Sequence, residues 1–375
     1  MLKNASERHL EIKRASFLEL FFDLIFVYAI QKIAHVLLHT HNGTISSELF
    51  FKYVVMSLFL WIIWSHQTFY TNRFGEITAK DIGFIIFNIF VLVFLSNSLF
   101  PDFEKTFFPF FICVGILYLS ISLQYFMHLK HCLSHADKRT CQSFAIVAFI
   151  VSMLSFIALI IPANTMHSHV VHYIPAFLGI FIAGTGLIPF RKYFAQSPVN
   201  MMHLVERFSL LTIIIFGEVL VGLASTFSIT HFNFIYIFQF IILITLFGIY
   251  WLFTETFIND KRKTIGFRLV YSHLIINIAL GLLNSAIIFS NNNELKPMFE
   301  ISIMYTSILL FLIGLWLNMP HYHDKYKSRK FVLLPIVILV ITFIISMIFK
   351  ETIQVMVVLV ALSNTLILYL YYKYK

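Results

Sequence analysis

The sequence predicts an all-α polytopic membrane protein of twelve transmembrane helices, arranged as a parallel six-plus-six internal repeat. The first observation is compositional. The 375 residues are 59% hydrophobic and only 12% charged, whereas a soluble domain carries roughly 25% charged residues. The second is a series of twelve apolar runs, at 17–38, 50–70, 82–100, 107–127, 143–161, 170–189, 203–226, 232–256, 268–289, 299–318, 331–349 and 352–372. Each is close to the ~20 residues needed to cross the hydrocarbon. The third is a coincidence of rare letters at a shift of 187 residues. Glu19 falls on Glu206, Trp64 on Trp251, Asn72 on Asn259, Asn97-Ser98 on Asn284-Ser285, and Tyr118 and Ser120 on Tyr305 and Ser307. Because six spans is an even number, both halves keep one orientation. The expected halves are 1–190 and 191–375, in a single membrane domain with no soluble domain.

Orientation follows from the basic residues. The N-terminal segment, the loops after even-numbered spans and the C-terminus hold 21 of the 27 Lys and Arg; the loops after odd-numbered spans hold only Lys105, Lys296 and Lys350. Both termini are therefore expected in the cytoplasm of a cell whose inner membrane holds the chain. The net charge of +9 is topological on this reading, and nucleic acid is excluded as a partner. Membrane lipids and an unidentified small molecule or ion remain. The first sixteen residues carry no small-residue cleavage site, and span one is expected to stay in the protein. Cys113, Cys132 and Cys141 fall in the membrane or on the inner face, so no disulfide is expected.

Taken in order, the spans differ in what they carry. Span one opens with two acids, Glu19 and Asp23. Four residues apart on a helix, they lie about 40° apart and share a face. A carboxylate in a membrane segment costs roughly 2.5–3.5 kcal/mol at the centre and less near an end, so such groups default to a functional reading. Span two ends inward in a polar stretch, Trp61 to Arg73, that includes His66 and Asn72. Span seven begins with His203-Leu-Val-Glu-Arg-Phe208, bringing Glu206 and Arg207, and holds Gly217-Glu218 deeper in. Span eight ends with Thr254-Glu255, and span nine begins near His273. Spans one, two, seven and eight thus place their polar groups toward the inner side.

Unpaired charge at that depth is unfavourable, so these groups should face each other or water. Arg207 is the natural counter-ion for Glu19 or Asp23, since its planar fork binds a carboxylate bidentately. Glu19, Asp23, Arg73, Glu206 and Arg207 are expected in one cluster. Glu218 lies on the same helical face as Arg207 but about 16 Å away along the helix, too far to pair; it reads as a protonation switch or as a structural hydrogen-bonding group. His66 and His273 are proton-relay candidates. The His128, His131, Cys132, His135 and Cys141 stretch reads as a solvated helix end, and neither a metal site nor any cofactor is expected.

At these residues the chain resembles the bacterial low temperature requirement A family. Glu19-Leu-Phe-Phe-Asp-Leu-Ile-Phe-Val27 followed by His35 is similar to the family's opening motif, and Thr68-Phe-Tyr-Thr-Asn-Arg-Phe74 to its second-span signature. His203-Leu-Val-Glu-Arg-Phe followed by Gly217-Glu218 resembles its seventh-span signature, and Tyr271-Ser-His-Leu274 a ninth-span one. Ser209 stands where glycine is common, and Val219 where a small polar residue is usual. The resemblance implies a cold-growth phenotype and supplies no reaction.

Transport is the leading functional reading: a proton- or ion-coupled secondary transporter, since parallel repeats place substrate sites where their halves meet. One alternative is a membrane-embedded enzyme or lipid-binding protein that takes a phosphate headgroup on Arg73 and Arg207. Against it, the chain has no recognisable nucleophile or metal motif, so catalysis ranks below transport. The other is a non-transporting scaffold or regulator of cold growth.

Overall fold

The computed structural model describes residues 12–375 apart from 77, 100–102, 133, 162–165, 229 and 293. Among the described residues it is all helical, without strands. The helices are α1 (Phe17–Ala34), α2 (Ser47–Arg73), α3 (Ala79–Asn97), α4 (Phe103–His128), α5 (His135–Ile160), α6 (Met166–Thr185), the short α7 (Arg191–Gln196), α8 (Met201–Ser225), α9 (Ile235–Leu252), α10 (Phe267–Asn292), α11 (Pro297–Trp316), α12 (Lys330–Ile348) and α13 (Ile353–Lys373). Twelve of these, with their short extensions, are long and apolar enough to cross a membrane. Some of their ends run further than hydropathy indicates. α2 continues to Arg73 and α5 begins at His135, because capped polar turns extend the helices beyond their apolar runs.

Those caps are legible in the sequence. Ser16 Oγ accepts from the Glu19 amide at 3.3 Å while Glu19 Oε2 accepts from the Ser16 amide at 2.9 Å, a reciprocal capping box that starts α1. Thr78 does the same service for α3 through the Asp81 amide at 3.2 Å, and Ser134 for α5 through the Asp137 amide at 3.0 Å. Asn200 starts α8, its Oδ1 accepting from the His203 amide at 3.0 Å.

The chain divides into two compact units. The first comprises residues up to Ile33, Val55–Arg207 and Lys261–Gly266; the second comprises Ala34–Val54, Phe208–Asp260 and Phe267–Lys375. Within the first, α4 packs on α5, α5 on α6 and α3 on α4. Aromatic rings fill the space: Tyr125 stacks on Phe144 with centroids 4.9 Å apart, and Phe59 meets Phe110 and Phe111 edge-on. Within the second, α10 packs on α11 and α13 on α9. Small residues let its helices approach closely, as expected where lipid supplies no hydrophobic drive for association. The Tyr53 hydroxyl sits over Gly281 and donates to the Ile278 carbonyl at 2.9 Å.

Candidate functional site

The first unit holds a buried polar cluster built from α1, α2 and α8. Glu19 and Asp23, one turn apart on α1, present their carboxylates side by side and are 6% and 0% exposed. Arg207, fully buried on α8, fills the space between them. Its Nε donates to Asp23 Oδ2 at 3.0 Å and its Nη2 to Asp23 Oδ1 at 2.6 Å, the bidentate fork expected of a guanidinium. Its Nη1 donates to Glu19 Oε1 at 2.6 Å and reaches Thr71 Oγ1 at 3.4 Å. From α2, Trp64 Nε1 donates to Asp23 Oδ1 at 2.7 Å, and the indole lies beneath the guanidinium at 5.7 Å. Asp23 is thus held by three donors.

Glu19 is held differently. Its Oε2 serves the capping box, accepting from both the amide and the hydroxyl of Ser16. Its Oε1 faces His203 Nε2 at 3.4 Å, a contact without full hydrogen-bond geometry. The imidazole is positioned from its other side. Asn72 Oδ1 accepts from the Asn200 amide at 2.9 Å, and Asn72 Nδ2 donates to the Asn200 carbonyl at 2.9 Å. This paired contact fixes which way the Asn72 amide points, so Nδ2 donates to His203 Nδ1 at 3.0 Å. Lys13, half-buried ahead of α1, donates to the carbonyls of Thr71, Asn72 and Gly75 where α2 runs out, the end of a helix that favours a cation.

The structure therefore brings together Glu19, Asp23, Asn72, His203 and Arg207 of the residues selected from sequence. It places the others elsewhere. Glu206, half-buried, accepts from the Ala15 amide at 3.1 Å. Arg73 turns to backbone, donating to the carbonyls of Ser197 at 3.1 Å and Ile265 at 3.2 Å, with its guanidinium over the Phe69 ring at 4.9 Å. His66 is buried between Tyr118 and Phe144, 3.2 Å from the Ala183 carbonyl. In the second unit, His273 lies 3.1 Å from the Tyr250 hydroxyl and 2.9 Å from the Leu269 carbonyl. Glu218 is half-buried and Glu255 exposed. No group of three metal-ligating side chains converges among the described residues.

Ser16, Trp64, Thr71 and Asn200 were not selected from sequence. The Ser16-x-x-Glu19 spacing is a capping signature and gave a signal for one of them. An indole as a carboxylate donor has none, because it depends on which helix comes to lie beside α1.

No curated protein matches the chain. Residues 14–366, nearly the whole chain and including Glu19, Asp23, Asn72, His203 and Arg207, match the family model of the bacterial low temperature requirement A protein (LtrA). The chain belongs to the bacterial low temperature requirement A family.

Proposed function

We propose that the chain is a proton- or ion-coupled secondary transporter of the bacterial inner membrane, with cytoplasmic termini, serving growth in the cold. The observation that carries this reading is the charge of the cluster. Among the described residues, two carboxylates share one buried guanidinium, leaving one negative charge without a fully buried partner. A static scaffold gains nothing from that excess. Burial disfavours it, and replacing such a group by apolar side chains is often neutral or stabilising. A site that binds and releases a cation needs it.

The carboxylates come from the first half of the sequence and the arginine from the second, as a site formed between repeats requires. Helix register supports the duplication. Adding 187 to Met166–Thr185 gives 353–372, against Ile353–Lys373 for α13; adding it to Ala79–Asn97 gives 266–284, against Phe267–Asn292 for α10. The halves have diverged in detail. Trp64 is buried on Asp23, while Trp251 is 53% exposed.

A transporter exposes its site to each side in turn, and that can be tested without knowing the substrate. In a chain whose three cysteines are replaced by serine, Thr71→Cys is to be labelled with a membrane-impermeant thiol reagent from either side of oriented vesicles. The expected result is labelling from both sides, with an imposed proton gradient raising one rate and lowering the other. Labelling from the inner side alone, unchanged by the gradient, contradicts transport.

A further inference from the structure

We infer that Glu19 is the group that takes up the coupling proton, while Asp23 and Arg207 stay joined and His203 stays neutral. This rests on the transport reading above and names its ion and the carrier of that ion.

The two carboxylates differ in what a proton would have to displace. On Asp23, Oδ1 receives Arg207 Nη2 at 2.6 Å and Trp64 Nε1 at 2.7 Å, and Oδ2 receives Arg207 Nε at 3.0 Å. Every one of these donors points at the carboxylate, and three of the bonds favour its charged form. Asp23 is also the deeper of the two, with no exposed surface. Glu19 receives one guanidinium N–H at 2.6 Å, has the Ser16 amide at 2.9 Å and the Ser16 hydroxyl at 3.0 Å both on its Oε2, and lies nearer the start of α1. That hydroxyl rotates. It donates to an ionised Glu19 and accepts from a protonated one, so a proton on Oε2 keeps a partner without any heavy atom moving.

His203 is the competing acceptor, and its surroundings decide against it. A second proton on the imidazole has to go to Nδ1, which already receives Asn72 Nδ2 at 3.0 Å. The Asn72 amide cannot turn its oxygen to the ring without losing both bonds to the Asn200 backbone. The ring is therefore held as the Nε2–H tautomer, aimed at Glu19 Oε1 from 3.4 Å. Asn72 is a positioning residue here, acting on Glu19 through His203.

Among the described residues beside the cluster, the other charged groups named above bind elsewhere. Asp23 and Arg207 are paired as described. Lys13 rests on the α2 carbonyls, Arg73 on the carbonyls of Ser197 and Ile265, and Glu206 on the Ala15 amide. In the step itself, a hydronium gives its proton to Glu19 Oε2 and leaves as water. The cluster goes from one net negative charge to none, and Glu19 ceases to be an ion partner for Arg207 Nη1. Deprotonation reverses both changes.

The test uses the purified full-length protein in lipid. Infrared difference spectra on acidification are to be recorded for the protein and for Glu19→Gln and Asp23→Asn, beside the nitrogen magnetic resonance spectrum of labelled histidine. The expected result is a carboxylic-acid carbonyl band that disappears in Glu19→Gln and persists in Asp23→Asn, with His203 neutral and protonated at Nε2 throughout. Asn72→Ala should release the lock, so that His203 becomes charged in the acidified sample. A band lost with Asp23 instead, a band lost with neither, or a charged His203 in the unmodified protein overturns the assignment. None of these readouts depends on movement of substrate, whereas two-sided labelling of Thr71→Cys does not depend on where the proton sits.

Discussion

Arg207→Ala is expected to remove the folded protein from the membrane. The substitution deletes all three guanidinium bonds to the carboxylates and leaves Glu19 and Asp23 facing each other with Trp64, Ser16 and His203 as their remaining donors. Stranding buried charge in this way costs roughly 3–5 kcal/mol, a large part of the 5–15 kcal/mol that typically separates folded from unfolded protein. Arg207→Lys separates charge from geometry. An ammonium keeps the charge but cannot bridge both carboxylates with three directed N–H groups, so this variant should fall between the two. Membrane levels and thermal stability of the detergent-purified proteins check both. A stable Arg207→Ala protein would mean that water replaces the guanidinium at little cost.

The second large effect is expected at Gly314 on α11, which packs against α10. A Cβ built there would stand 2.5 Å from Ile276 Cγ1, 2.9 Å from the Ser272 carbonyl oxygen and 3.2 Å from the Ile276 amide nitrogen. Two of these are backbone atoms of α10, so no side-chain rotation relieves the clash and the helices must separate. Gly314→Ala should therefore cost about 1–3 kcal/mol, as overpacking of a tight contact does. Gly217→Ala is the control. Nothing lies within 4 Å of its Cβ position, and alanine is the better helix former by about 1 kcal/mol. Melting temperatures should fall for the first and hold or rise for the second.

How far the sequence alone led can be judged at particular residues. The twelve spans were legible because the hydrocarbon imposes a length and a composition on each. Glu19, Asp23 and Arg207 were legible because charge at membrane depth is rare and needs a partner, and the three include only one cation. Helical spacing gave the shared face of the two acids. It could not give the neighbour of that face. Trp64 stood out only for its match to Trp251, and its indole is a donor to Asp23 because α2 lies against α1 at that level. Arg73 was expected among the carboxylates and instead satisfies the carbonyls of Ser197 and Ile265. Backbone groups left open by loops are invisible to a search for opposite charges. The same applies to Asn200, whose main chain orients Asn72 and so the imidazole of His203.

The central claim is that the carboxylates work and do not merely brace the helices, and Asp23→Asn tests it most directly. This change removes one negative charge and leaves Glu19 and Arg207 as a neutral pair, so the protein should fold. Asparagine keeps an oxygen for the guanidinium, but the cluster loses the excess negative charge that a cation-coupled site needs. The measurement is growth at low temperature of a bacterial host lacking its own copy of the gene and supplied with the variant, alongside the amount of protein in its membranes. The account predicts that Asp23→Asn reaches the membrane at the level of the unmodified protein and fails to restore growth. Full restoration, by Asp23→Asn and by Asp23→Asn combined with Glu19→Gln, would reduce the cluster to scaffold and contradict the transport reading.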